Sequence, residues 1–170
     1  QNWNYGWNGI YFITICTRDR KSFFGHIKEN RVRLTGCGKI AEQFWNVIPE
    51  QFPSIQLDKF VVMPNHVHGI LTIDKTDDRH RDAVDWDSDS EGGGITGNHN
   101  PMLYENVSRA IRWYKGRVTF ELRDKVPDFG WQPRFHDHII RNEKSFQKIS
   151  TYIMTNPETW LDDTLHPDNL

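Results

Sequence analysis

The spacing of apolar and polar positions along the chain predicts four strands and three helices. Ile10-Tyr11-Phe12-Ile13-Thr14-Ile15-Cys16-Thr17 is dense in β-branched and aromatic residues and reads as a first strand. A polar connector with Arg18, Arg20 and Lys21 follows, then Phe23-Phe24. Over residues 38–51, Ile40, Ala41, Phe44, Trp45 and Ile48 fall at helical spacing, and Phe52-Pro53 closes that helix. Residues 55–63 form a second strand, Pro64-Asn65 marks a tight turn, and residues 66–73 return as a third. Helical spacing resumes over residues 103–120, with Val107, Ala110, Ile111 and Tyr114 on one side and Arg109 and Arg112 towards the other. Residues 131–141 read as a fourth strand. Asn142 then serves as an N-cap and Glu143 as a first-turn acid for a last helix carrying Phe146, Ile149, Tyr152 and Ile153. The tail after Trp160 is polar and offers no motif.

The order strand, helix, strand, strand, helix, strand, with an added helix, is that of an α+β, ferredoxin-like split βαβ fold. Its antiparallel sheet of four to five strands would carry helices on one face, with the C-terminal helix bearing Tyr152. The open face would hold His66 and His68.

Charge changes this picture in one place. Residues 74–91 hold eight acids and three bases, a net of −5 in a chain whose formal charge is −2, which leaves the remainder at +3. The segment 74–100 is acidic, contains Gly92-Gly93-Gly94 and lacks periodicity, so it reads as a flexible insertion in a single domain spanning residues 1–170. Residues 101–150 carry ten Lys and Arg against six Asp and Glu, interleaved with Trp113, Tyr114, Trp131 and Phe135. That mixture suits single-stranded nucleic acid, and equally an ordinary solvated face over core aromatics. At 170 residues a sufficient core is available without disulfides. Cys16 and Cys37 have no CxxC partner and read as small buried or half-buried residues in a reducing compartment. No charged-then-apolar leader and no apolar run of about 18 residues is visible, so a soluble, cytoplasmic chain is expected.

His66 and His68 stand two apart on a strand, so both imidazoles project from one face and offer two ligands to a divalent metal. Alone, such a pair is also what two surface histidines look like. Tyr152 and Asn156, four apart, share a helix face about 6 Å apart along the axis. The carboxamide oxygen is a possible third, neutral ligand, and the phenol can reach what the metal holds. Tyr114 has Val118 at that spacing and Tyr104 has Ser108, so neither offers the same pair. A tyrosine on an amphipathic helix is otherwise ordinary packing. Pro157 ends the helix just past Asn156. A second His-x-His pair, His136 and His138, has no companion at helical spacing and reads as one inward, partnered ring and one exposed. Arg112, Lys115, Arg134 and Arg141 are candidate phosphate contacts, each equally readable as solvated.

Four spaced motifs together resemble a known family. They are Pro64-Asn65-His66-Val67-His68-Gly69-Ile70, Trp131-Gln132-Pro133-Arg134-Phe135, His138-x-Ile140-Arg141-Asn142 and Tyr152-Ile153-x-x-Asn156-Pro157. In order, over roughly residues 10–160, they resemble the single-tyrosine HUH transposases. The REP-associated tyrosine transposase branch, related to the smallest insertion-sequence transposases, is the nearest match. The resemblance implies a metal-dependent enzyme that cleaves and rejoins single-stranded DNA at hairpin repeats through a 5′-phosphotyrosine. It makes Tyr152 the nucleophile, His66, His68 and Asn156 the metal ligands, and Mg²⁺ or Mn²⁺ the metal. Arg112, Lys115, Arg134, Arg141, Trp131 and His138 are read from the residues as candidate DNA contacts, and a nucleoid-associated location is expected; the resemblance adds a monomer rather than the dimer usual among insertion-sequence relatives. The acidic segment 74–100 is no part of that pattern. The alternative is a catalytically silent module that binds single-stranded nucleic acid. A two-histidine phosphodiesterase is disfavoured, because Ile70 and Asp82 stand where its hydroxyl residues would follow His68 and His80.

Overall fold

The computed structural model describes residues 9–74 and 106–169. The expected insertion at 74–100 and the expected first turn of the helix at 103 lie almost wholly outside them. Strands β1 (Gly9–Cys16), β4 (Ile55–Val62), β5 (His66–Ile73) and β6 (His136–Ile140) form one sheet in the order β4-β5-β1-β6, with every pairing antiparallel. That is the strand order of the ferredoxin-like fold. Helices α1 (Gly36–Asn46), α2 (Ile48–Gln51) and α3 (Val107–Leu122) follow the expected periodicity, and α4 (Glu143–Thr155) ends the sheet-packed part of the chain.

Each long helix starts where the chain provides a side-chain acceptor. Thr35 accepts from the Gly38 amide, Asn106 from Arg109 and Asn142 from Ser145. These caps satisfy amide groups that a helix start leaves without partners.

Period-two alternation sends β1 and β5 side chains to two different cores. Tyr11, Ile13 and Ile15 of β1 join Val67, Leu71 and Ile73 of β5 against Ala41, Trp45, Val107, Ile111, Tyr114 and Val118 from α1 and α3. Gly69 sits on this face because Trp45 leaves no room for a side chain: a Cβ there would lie 2.2 Å from the indole ring. On the other face Ile70 and Ile140 pack with Ile153 of α4, flanked by Ile10, Phe12, Val61, Phe146 and Ile149. The face expected to be open is therefore covered by α4, and the histidines on it are buried.

Two elements differ from the sequence expectation. A hairpin, β2 (Gly25–Lys28) and β3 (Arg31–Leu34), occupies the polar connector. Its two turn residues, Glu29 and Asn30, both have positive φ, at 54° and 57°, as a two-residue hairpin turn demands. No glycine announces that turn, and each strand is only four residues long. The fourth strand is also shorter than residues 131–141, beginning at His136. Trp131 instead makes an isolated bridge to Thr17.

Candidate metal and nucleophile site

The turn at Pro64-Asn65 delivers β5 with His66 and His68 on the face under α4. The rings lie 4.3 Å apart between centroids, and both are buried. Each ring is fixed through its Nδ1. Asn65 Oδ1 is 2.8 Å from His66 Nδ1, and the Asn65 amide nitrogen donates to the Arg20 and Leu165 carbonyls. Those two bonds orient the amide so that its oxygen faces His66, which makes Nδ1 the donor and leaves the Nε2 lone pair bare. Thr14 Oγ1 lies 2.8 Å from His68 Nδ1.

Helix α4 brings its C-terminal end over this pair. The Tyr152 hydroxyl is 3.2 Å from His68 Nε2, and the residue is 40% exposed, so the nucleophile candidate is both at the cluster and open to a substrate. Asn156, the C-cap of α4, is fully buried and donates through Nδ2 to Asp163 Oδ2 at 2.6 Å. Sequence reasoning passes over Asp163, because the tail shows no periodicity. A short 3₁₀ turn over Trp160–Asp162 drops Trp160 beside His66, 5.8 Å between rings, and delivers Asp163 to the cluster. The Asp163 carboxylate also accepts from Leu165 N at 2.7 Å and lies 3.4 Å from the Tyr152 hydroxyl. The signal available was the Trp160-x-x-Asp163 spacing after Pro157, which puts an aromatic and an acid on one side of a single turn.

Burial sets the protonation of the cluster. It lowers the His68 pKa to about 4; the Asp163 carboxylate opposes this and His136 adds to it. Burial likewise holds His66 well below the usual histidine value, with His68 and Arg20 acting in the same direction. Both rings are neutral near pH 7, the state in which imidazole ligates metal. Tyr152 is pushed up to about 12, by burial first and by the Asp163 charge and hydrogen bond second.

Ligand atoms of His66, His68 and Asp163 lie within 4.8 Å of one another, so the cluster can hold a metal ion. Two further atoms test that fit. His66 Nε2 and Asn156 Oδ1 are buried with no hydrogen-bond partner. An orphaned buried acceptor costs roughly 1–3 kcal/mol, and two of them beside a carboxylate are what a cation would satisfy. The donor set fits a divalent ion.

A cavity of about 540 Å³ opens beside the phenol, between Phe12 and Thr14 of β1, Arg134, His136, Tyr152 and Leu165 of the tail. Of the candidate DNA contacts, Arg134 alone lines it. His138 is exposed on the same face of β6, opposite Phe12 in register. His136 and His138 are both exposed, where one was expected to turn inward. The Trp131 indole packs against Phe24, Tyr114 and Phe129 and donates to the Lys115 carbonyl. Lys115 donates to the Gln132 carbonyl at 2.6 Å. Arg112 is exposed on α3, beyond the opposite face of the sheet, and Arg141 is exposed just after β6.

The chain is 33% identical over 181 aligned positions to an uncharacterized protein of Haemophilus influenzae, covering 99% of this chain and 91% of the other. The two belong to one family. No family model matches the sequence. Among solved structures, the REP-associated tyrosine transposase bound to a REP hairpin superposes with a TM-score of 0.61 at 23% identity, covering 94% of this chain and 73% of that one. The chain shares its fold with that transposase. A putative transposase from Deinococcus radiodurans gives a TM-score of 0.45 at 13% identity, over 91% of this chain and 95% of that one. Among the described residues, no helix is long and apolar enough to cross a membrane.

Proposed function

We propose that this chain is a metal-dependent single-stranded-DNA transposase, or nicking and joining enzyme, that cuts at hairpin repeats through a 5′-phosphotyrosine. The observation that carries the reading is the Tyr152 hydroxyl, 3.2 Å from His68 Nε2, over a cluster with two orphaned buried acceptors. Fold similarity to a transposase bound to a REP hairpin supports DNA as the substrate.

His66 and His68 through Nε2, Asn156 through Oδ1 and the Asp163 carboxylate would hold Mg²⁺ or Mn²⁺. When bound, the ion polarises the scissile phosphate and offsets the charge that builds on it. The rest is done by the chain. A phenol with a pKa near 12 is protonated at neutral pH, so its proton must leave as the Tyr152 oxygen meets phosphorus. Two acceptors lie within reach of that proton, His68 Nε2 and Asp163 Oδ2. The single free lone pair of His68 Nε2 would be taken up in holding an ion, whereas a carboxylate offers about four acceptor sites and can accept the proton while also holding it, so Asp163 is the acceptor. Packing of Phe146, Ile149 and Ile153 against the sheet fixes α4, which holds the phenol in place for attack. Attack joins the 5′ phosphate to Tyr152 and frees a 3′-hydroxyl. One phosphoester replaces another, so rejoining needs no ATP.

Incubation with Mn²⁺ and 3′-end-labelled REP-type hairpin DNA tests this. The reading expects a covalent adduct that retains the label on the 3′ side of the cut. It also expects the adduct to vanish in Tyr152→Phe and on chelation of the metal. An adduct that persists in Tyr152→Phe contradicts it.

A further inference from the structure

We propose that His136 is a second catalytic residue, the donor that hands a proton to the departing 3′-oxygen when Tyr152 attacks. The inference rests on the transposase reading above and adds to it a residue which neither the His66-His68 pair nor the tyrosine motif includes.

The sheet order places the two side chains on opposite sides of one cavity. Helix α4 lies over β4 and β5, while β6 forms the far edge beyond β1. Tyr152 therefore looks across β1 toward β6, and the Tyr152 ring meets Phe12 of β1 edge-on at 6.2 Å. His136 pairs with Thr14 in register, and Thr14 holds His68. His136 and Tyr152 thus line the same cavity of about 540 Å³ from two different elements. A phosphoryl group under in-line attack has its entering and leaving oxygens on opposite sides of phosphorus. A phosphate beside the Tyr152 hydroxyl would send its leaving oxygen across the cavity, toward the β6 wall.

On that wall the side chains narrow the choice. Arg134 lines the cavity too, but a guanidinium does not surrender a proton in proteins, so it can contact a phosphate and cannot act as the acid. His136 is exposed and makes no side-chain hydrogen bond among the described residues, so its ring is available to a substrate. The other titratable groups around the cavity are accounted for. His68 faces it from β5 and belongs to the metal cluster, Cys16 lines it from β1, and Asp163 lies behind Tyr152 on the tail. His138 lies two residues along β6, opposite Phe12.

The step balances. The bond from Tyr152 Oη to phosphorus forms and the bond from phosphorus to O3′ breaks. The phenol proton passes to the Asp163 carboxylate, and the His136 N–H proton passes to O3′, leaving a 3′-hydroxyl. His136 regains its proton from water, which reaches the exposed ring.

The test is a hairpin oligonucleotide whose cleaved linkage carries sulfur in place of the bridging 3′-oxygen. A thiolate leaves without being protonated, so this substrate removes the need for an acid and nothing else. His136→Ala should slow adduct formation on ordinary DNA about 100-fold, with hairpin affinity unchanged. On the sulfur substrate it should come within a few-fold of wild type. Arg134→Ala, compared in parallel, should be slow on both. If His136→Ala cleaves ordinary DNA at the wild-type rate, or stays equally slow on the sulfur substrate, the assignment is overturned. Wild-type protein that forms no adduct on either substrate overturns the transposase reading itself, and this inference with it.

Discussion

Asn156 and Asp163 are joined by a 2.6 Å hydrogen bond from amide nitrogen to carboxylate, and this bond decides which way the buried amide faces. With Nδ2 held by Asp163, Oδ1 is the atom left without a partner. Asp163→Asn removes the charge and lets the amide turn. The expected result is a 10- to 100-fold loss of Mn²⁺ affinity, the usual effect of removing a group that orients a ligand. Titration calorimetry measures it, and an unchanged affinity would show that the carboxylate has no part in the site.

The buried histidines make the metal-free protein sensitive to acid. His68 titrates near 4 in the fold and His66 well below 6.5, whereas both titrate near 6.5 when the chain is unfolded. The unfolded state therefore takes up protons first as pH falls. Their contribution to stability is complete above about pH 6.5 and is lost on the way down toward 4. Urea midpoints at pH 7 and pH 5 should differ more for wild type than for His68→Gln, which no longer has this ring to protonate.

Gly69 is a packing requirement between two metal-ligand candidates and the core. Gly69→Ala would put a methyl group 2.2 Å from the Trp45 ring. Overpacking of this kind costs about 1–3 kcal/mol. Chemical denaturation should report that loss. Because β5 must shift to relieve the contact, metal affinity should fall with it.

Asn65 links three segments, since its side chain reaches His66, the Arg20 carbonyl and the Leu165 carbonyl. Asn65→Ala leaves those buried groups unsatisfied, at about 1–3 kcal/mol. It also releases His66 to either tautomer. Both a lower denaturation midpoint and weaker Mn²⁺ binding are expected, and loss of one without the other would separate the structural role from the ligand-orienting one.

How much of this was legible follows from the kind of signal each residue sends. The sheet strands, α1, α3 and α4 show their periods plainly, because Ile13, Val67, Ile111 and Ile153 recur at the spacing of a buried face. His66, His68, Tyr152 and Asn156 were legible because strand and helix geometry put each pair on one face. Their meeting across 84 residues was implied by family resemblance, and the structure brings Tyr152 to His68. Asp163 was not legible. It reaches the site through a single 3₁₀ turn, and its partners, Asn156 and the Leu165 amide, are set by tertiary folding. The β2-β3 hairpin escaped for a related reason: Glu29 and Asn30 take positive φ with no glycine to mark the turn. Trp131 showed the opposite limit, since composition alone does not separate an exposed base platform from an indole packed on Phe24, Tyr114 and Phe129.

The central claim is that the phenol over the histidine cluster becomes the covalent carrier of DNA. Trypsin cuts after Lys148, and in the peptide that begins at Ile149 the sequence places a single tyrosine, Tyr152. After incubation with Mn²⁺ and hairpin DNA, then nuclease trimming, mass spectrometry of that peptide should show a nucleotide attached through phosphate to Tyr152. Attachment at any other tyrosine, or at a serine or histidine, would contradict the account.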